Sequence, residues 1–159
     1  MLVITIWPTH YNDCGVWASQ EGKIMLIQPY LFFNGNCEEA VNFYAQQLGG
    51  DVVAMMRYKE IPNPESCPPN TDPESIMHAR LQIGSNVIMA SDGCPDEGGS
   101  PHKGYSLSIN VADMAKGEDL FKRLSDGGQV IMPFGATFWA KGFGMLTDKF
   151  GVGWMINVE

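Results

Sequence analysis

The clearest alternation of apolar and polar residues runs through residues 76–83, which predicts a strand with one buried face. The apolar face would carry Met77, Ala79, Leu81 and Ile83, and the polar face His78, Arg80 and Gln82. Shorter apolar runs bounded by turn residues predict further strands at 27–33, 51–58, 87–91, 105–111, 129–134, 143–147 and 153–158.

Two stretches, residues 37–48 and 113–125, instead place their apolar residues at helical spacing. Before the first of them, Asn36 has the side chain of a helix cap, and Glu39 stands three residues later, which predicts a capping box. Pairs of glycines at 49–50 and 127–128 predict where the two helices end.

The order strand–helix–Gly-Gly–strand occurs twice, and a pair of strands follows each time. We therefore predict an α+β fold of two βαβββ modules, at about residues 25–92 and 104–159 of a single domain. One helix and one small sheet cannot close a core alone, whereas two such modules side by side can. Residues 1–24 lie outside this repeat, and we expect them to form a leader or appendage without chemistry.

Composition narrows the class of protein. The chain has 159 residues, a net charge of −8 and a pI of about 4.7, which argues against nucleic acid or an anionic membrane as partner. Its four cysteines form no CxxC pair, so we expect reduced thiols, a cytoplasmic location and no zinc site. No apolar run approaches the ~18 residues of a membrane span.

Two blocks carry a family resemblance. They are TFWAKGFG with TDKFGVGWMINV near the end of the chain, and PYLFFNG with AVNFYAQQLG near residues 29–49. Together they resemble the PhnB-like branch of the vicinal oxygen chelate superfamily, which includes glyoxalases, bleomycin resistance proteins and dioxygenases. The resemblance covers roughly residues 25–159 and implies two sheets that form an open barrel around a pocket. It also implies a homodimer, which the proline-rich loop at residues 59–75 would help to join.

Metal chemistry is the usual activity of this superfamily, with His, Gln or Glu ligands from four strands. The resemblance maps those ligand positions onto Pro29, Ala90, Ser106 and Met155. None of these is a competent ligand for a hard divalent ion, so we expect no metal and no other cofactor. The departure places the lyase, dioxygenase and thiol-transferase activities of the metal-using relatives in doubt.

Some relatives are described as demethylubiquinone methyltransferases, and the sequence speaks against that chemistry. A methyltransferase that uses S-adenosylmethionine commonly has a glycine-rich turn after its first strand in a doubly wound sheet. Here Asn34-Gly35-Asn36-Cys37 follows the first strand, and the order of elements is not doubly wound.

Candidate site residues come from the polar stripes and the C-terminal block. We assign His78 and Lys141 as catalytic, and we assign ligand binding to Arg80, Asp92, Ser106, Phe138, Trp139 and Met155. Arg80 would recognise an anionic or carbonyl-bearing small molecule, with His78 as acid or base and Trp139 as an aromatic wall. The structural alternative is that His78 and Arg80 pair with Asp92 or a backbone carbonyl.

Three functions remain open from the sequence. The first is a small-molecule-binding protein or metal-independent enzyme of the PhnB-like branch, and the second is a metal-dependent enzyme with unusual ligands such as His78 and Asp92. The third is a drug-sequestering resistance protein, in which the acidic surface attracts a cationic ligand.

We expect a chelator to leave thermal stability unchanged, because the mapped ligand positions cannot hold a metal on which folding depends. The measurement is the melting temperature with and without EDTA. A large drop that Zn²⁺, Ni²⁺ or Mn²⁺ restores would contradict this expectation.

Overall fold

The computed structural model describes residues 25–62, 71–93 and 102–159. The leader expected at residues 1–24, part of the proline-rich loop at residues 59–75, and residues 94–101 lie outside it. The first module contains β1 (Tyr30–Phe33), α1 (Cys37–Leu48), β2 (Asp51–Arg57), a short 3₁₀ turn (Tyr58–Glu60), β3 (Ile76–Ile83) and β4 (Asn86–Asp92). The second contains β5 (Leu107–Val111), α2 (Met114–Ser125), β6 (Gln129–Gly135), β7 (Gly142–Thr147) and β8 (Gly153–Val158).

Each module forms one four-stranded sheet. The strand order is β1-β4-β3-β2 in the first sheet and β5-β8-β7-β6 in the second. In both sheets the first strand pairs in parallel with the last strand of its module, and the other pairs are antiparallel. The predicted α+β fold of two βαβββ modules is therefore confirmed, and the sheets are open rather than closed into a barrel.

Two strands begin later than predicted. The first begins at Tyr30 instead of residue 27, because Pro29 has no N–H to donate to the ladder. The fifth begins at Leu107 instead of residue 105. There Gly104, with a φ of 80°, turns the chain just before the strand.

The predicted capping box of α1 is wrong. The Asn36 side chain makes no capping hydrogen bond. The carboxylate of Asp92, at the end of β4, takes this role: it accepts hydrogen bonds from the Cys37 N–H at 3.0 Å and from the Ile76 N–H at 2.8 Å. The helix ends as predicted, since Gly49 adopts the left-handed conformation with a φ of 68°.

Helix α2 has the cap and the buried face that its sequence favours. The Asp113 carboxylate accepts a hydrogen bond from the Lys116 N–H at 2.7 Å. Its buried residues are Gly117, Leu120, Phe121 and Leu124. Met114, in the first turn of the helix, is 41% exposed.

One hydrophobic core joins the two modules. Leu31, Ala79 and Leu81 of the first sheet pack with the buried side of α1, and the cluster continues to Trp154 and Ile156 of β8. Because each helix covers one face of its own sheet, the opposite faces carry the polar stripes and have no helix over them. No helix among the described residues is both long enough and apolar enough to cross a membrane.

The turn between β7 and β8 contains a buried carboxylate that connects the modules. Asp148 is 3% exposed and accepts hydrogen bonds from the Tyr44 hydroxyl and the Trp154 Nε1, each at 2.7 Å. It also accepts from the backbone N–H groups of Phe150 at 2.9 Å and Val152 at 3.0 Å. Since Tyr44 belongs to α1 and Trp154 to β8, one side chain fixes the first helix against the second sheet.

Tyr44 remains a hydrogen-bond donor in this cluster. Its burial first, and then the charge of Asp148, raise the pKa of the Tyr44 hydroxyl far above its usual range. On the surface beside it, the Lys149 Nζ lies 2.9 Å from the Glu39 carboxylate and 5.0 Å from the centre of the Phe43 ring. These contacts reinforce the same connection between α1 and the β7–β8 turn.

We expect Asp148→Asn to lower the free energy of unfolding by about 3 kcal/mol, because the amide group faces buried donors that need an acceptor. Asp119→Asn is the matched control. It removes only the exposed ion pair with Arg123 and should cost less than about 0.5 kcal/mol. Equal stabilities of the two variants in urea denaturation would contradict a joining role for Asp148.

Candidate functional site

The polar stripe of β3 lies on the face of the first sheet that α1 does not cover. In register with this stripe, Arg80 pairs with Ala54 and Met89, and His78 pairs with Met56. Tyr30 pairs with Met89 from the other side. We call this surface the open face of the first sheet, and its side chains are Tyr30, Phe32, Ala54, Met56, His78, Arg80, Gln82 and Met89.

His78 is partly buried and in contact with an aromatic ring. Its Nδ1 and the Tyr30 hydroxyl oxygen lie 3.1 Å apart, within hydrogen-bond distance, and the two rings are 5.8 Å apart. Burial first, and the charge of Arg80 second, lower the pKa of the His78 imidazole below its usual value. His78 is therefore neutral at pH 7 and able to accept a proton.

Arg80 differs from the other arginines that the structure describes. Arg57 binds both carboxylate oxygens of Glu38 at 2.8 Å, and Arg123 binds Asp119 at 2.7 Å. Arg80 is partly buried and makes no hydrogen bond or ion pair with any described residue. A guanidinium group on a largely apolar surface is thus left with its donors free.

Asp92 makes no hydrogen bond or ion pair with His78 or Arg80. Its carboxylate is 5% exposed, and its two oxygens accept the backbone N–H groups of Cys37 and Ile76. The pairing of Asp92 with His78 or Arg80, considered from the sequence, is therefore not formed. Asp92 connects α1 to β3 and has a structural role.

The remaining candidates belong to the second sheet. Met155 pairs with Ser108 and Met145 on the face opposite α2, and the Ser106 Oγ lies close beside Gly153 on the same face. We call this surface the open face of the second sheet.

Two aromatic side chains project from the connection between β6 and β7. Phe138 is 96% exposed and Trp139 is 55% exposed. Their rings meet edge to face at 4.5 Å, and Trp139 also contacts Phe143 of β7 at 5.7 Å. A hydrogen bond from the Thr137 N–H to the Ala140 carbonyl, at 3.1 Å, closes this short loop and holds the rings outward. We call residues 137–140 the aromatic loop.

Lys141 is exposed at the start of β7. Its Nζ donates a hydrogen bond to the main-chain oxygen of Glu159 at 2.8 Å. Among the described residues, Lys141 makes no contact with His78, which the sequence assigned to the same catalytic pair.

The candidates therefore fall into two groups on two sheets. His78 and Arg80 share the open face of the first sheet, whereas Ser106, Met155 and Trp139 belong to the second. Within the described part of the chain, no hydrogen bond, ion pair or ring contact joins the two groups. The sequence identified the polar stripe, but it missed Tyr30, whose hydroxyl group reaches His78 from a neighbouring strand.

A groove of about 520 Å³ lies between the modules and contains neither group. Its walls come from the chain before β1, the β3–β4 hairpin, β5 and α2, and Trp154 also borders it. No sequence pattern indicated this groove, because its walls are distant in the chain and meet only when the modules pack.

The positions that would hold a divalent metal do not fit one. Pro29, Ala90 and Met155 offer no oxygen or nitrogen side-chain donor, and Ser106 stands alone. Within residues 25–62, 71–93 and 102–159, no three His, Cys, Asp or Glu side chains lie close enough together to bind a metal.

Comparison with known proteins identifies the family. Residues 25–157 match the family described as 3-demethylubiquinone-9 3-methyltransferase. Protein YjdN of Escherichia coli (strain K12) is 38% identical over an alignment of 144 residues, and the match covers 84% of this chain and 95% of YjdN. The chain belongs to this PhnB-like family, and its fold is that of the vicinal oxygen chelate proteins.

Solved structures agree with this assignment. Protein PA1353 from Pseudomonas aeruginosa is 48% identical, with a TM-score of 0.75 over 86% of this chain and 98% of its own. A PhnB protein from Bacillus cereus, described as a putative 3-demethylubiquinone-9 3-methyltransferase, is 26% identical, with a TM-score of 0.72 over 85% and 100%. The PhnB-like chain itself has two mixed sheets, unlike the parallel doubly wound sheet common to methyltransferases.

We expect the His78 titration midpoint, followed by NMR, to lie below that of a free imidazole and to rise in Arg80→Gln. The rise follows because the neighbouring positive charge disfavours the imidazolium form. Arg123→Gln, which removes the same charge from α2, should leave the midpoint unchanged. A midpoint that is the same in wild type and Arg80→Gln would show that the two side chains do not interact.

Proposed function

We propose that this PhnB-like protein binds a small anionic or carbonyl-bearing molecule on the open face of the first sheet, without a metal. The observation that carries the proposal is Arg80, whose guanidinium group has no partner among the described residues. A partly buried cation is costly unless a bound anion or acceptor satisfies it. A carboxylate, a phosphate or a polarised carbonyl oxygen would fill that need.

The surroundings of Arg80 favour a ligand with apolar surface as well as an acceptor. Phe32 is 50% exposed, Met56 is 42% exposed and Tyr30 is 37% exposed, all on the open face of the first sheet. These side chains offer flat and flexible apolar contacts around one strong donor group. Binding sites commonly combine a mostly apolar wall with a few polar groups that fix orientation.

His78 supplies the second element of the proposal. A neutral imidazole has one protonated and one free ring nitrogen. With its Nδ1–H donated to the Tyr30 hydroxyl oxygen, His78 would keep Nε2 free to accept a proton from a ligand held at Arg80. Arg80 would stabilise the negative charge that remains on the ligand oxygen after that transfer. Arg80 alone supports a binding function, and His78 extends the proposal to a metal-independent enzyme.

A homodimer is part of the proposal. Phe138 and Trp139 leave a large aromatic surface uncovered in one chain, and exposed patches of this kind commonly mark interfaces. We propose that the aromatic loop of a second copy covers the open face of the first sheet and supplies the wall expected from Trp139. The water-excluded site would then strengthen the interaction of Arg80 with an anion.

The two other functions find less support. A cationic drug on this open face would meet the positive charge of Arg80, which opposes sequestration there despite the net charge of −8. The metal-dependent alternative needs Asp92 as a ligand, and both oxygens of that carboxylate already accept backbone N–H groups. A cytoplasmic location with reduced thiols, such as the buried Cys37, completes the proposal.

The ligand assignment is tested with a panel of small carboxylates, phosphate esters and their neutral analogues, first by thermal shift and then by calorimetry. We expect an anion to bind wild type and Arg123→Gln equally. Arg80→Gln should lose about 2–5 kcal/mol of binding free energy. If every compound that binds does so equally in Arg80→Gln, Arg80 does not recognise the ligand.

Light scattering tests the dimer. We expect a mass of two chains of 17.5 kDa at micromolar concentration, and a shift toward the monomer in Phe138→Ser. Ile27→Ser is the matched control, because Ile27 is an equally exposed apolar side chain at 95% and lies outside the aromatic loop. A wild-type mass near that of one chain would contradict the dimer.

A further inference from the structure

The groove between the modules has an apolar floor and an apolar lip. Trp154 and Leu120, which are 2% and 8% exposed, form part of its inner wall. Leu26 and Ile27 lie at the chain entry to β1 and are 68% and 95% exposed. A ligand that covers these exposed apolar side chains would be stabilised, because it removes their apolar surface from water.

The chemistry of the walls is aliphatic rather than aromatic. Ile83, Val87, Ile88 and Ile109 join the leucines as lining residues, and Trp154 is the single aromatic side chain among those that line the groove. A site for a flat ring commonly stacks aromatic side chains against it. An aliphatic wall with a cavity of about 520 Å³ suits a flexible hydrocarbon chain instead.

Lys116 is the only ionisable side chain that lines the groove among the described residues. It projects from the first turns of α2, is exposed, and makes no ion pair or hydrogen bond through its Nζ with any described residue. The other polar lining groups are neutral, such as Gln28, Asn86 and Asn110. In a chain of net charge −8, this groove therefore carries a locally positive end.

We propose that the groove binds a second ligand, an aliphatic chain with an anionic head group, with Lys116 as the head-group contact. The apolar chain would cover the side chains at positions 26 and 27 and extend along β5 and α2. This site lies apart from Arg80 and His78, neither of which lines it. It would persist if the function proposed for Arg80 failed.

The probe is a series of saturated carboxylates, octanoate, decanoate and dodecanoate, titrated into the full chain by calorimetry at low ionic strength and below micelle formation. We expect saturable binding with one site for each chain. The affinity should rise about four-fold for each added methylene until the groove is full, since each buried methylene adds a similar increment. Decanol should bind more weakly than decanoate.

Two lysine variants separate the head-group contact from a general charge effect. Lys116→Gln should weaken decanoate about three- to five-fold, as expected for an exposed ion pair, and leave decanol unchanged. Lys122→Gln removes the same charge from the same helix, outside the groove, and should match wild type for both probes. Leu26→Asp, at an exposed position that the fold does not need, should weaken every carboxylate in the series.

Several results would overturn the proposal. One is the absence of saturable binding of dodecanoate to the full chain, which is also the result expected if residues 1–24 occupy the groove. Another is that Lys116→Gln and Lys122→Gln weaken decanoate binding equally, which would leave no specific head-group contact. A third is that Arg80→Gln loses decanoate binding while Lys116→Gln binds decanoate as tightly as wild type. That result would place the carboxylate on the open face of the first sheet.

Discussion

The structure depends on one buried carboxylate. Asp148 brings together a tyrosine of α1, a tryptophan of β8 and two backbone N–H groups of its own turn. With no cation beside it among these contacts, its charge is stabilised by four hydrogen-bond donors in the interior. The geometry of those donors determines how the first helix sits against the second sheet, and therefore how the two modules share a core.

That arrangement has a consequence for function. When both helices and the shared core occupy the inner faces, the polar stripes of the sheets lie on the outside of a single chain. Arg80 and His78 are then accessible but only half enclosed, and Trp139 belongs to a different surface. A site built from both sets of residues requires a second surface to close it. The aromatic loop provides an exposed apolar surface of this kind, formed by Phe138 and Trp139.

Asp92 shows why a residue type in the right pattern is not enough to assign a role. Its position at a strand end near the polar stripe made it a reasonable ligand-binding candidate. The structure uses the carboxylate for backbone N–H groups of α1 and β3, and the same contact replaces the cap expected from Asn36. The contact that replaces the cap joins residues 55 positions apart, which local sequence patterns do not reveal.

Much of the fold was predictable because its signals are local. The alternation in β3 gave the correct faces for His78 and Arg80, and the repeated Gly-Gly pairs revealed the two modules. What escaped prediction depends on distant contacts: that the site residues of the two sheets do not meet, the Tyr30–His78 contact, and the groove beside Lys116.

The central claim is that Arg80 binds a ligand anion on a face that a second copy completes. A crystal structure with the tightest anion from the ligand panel tests this most directly. We expect the anion within hydrogen-bond distance of the Arg80 guanidinium group, with the aromatic loop of the second chain against it. An anion bound elsewhere, with Arg80 still facing open solvent, would contradict the account.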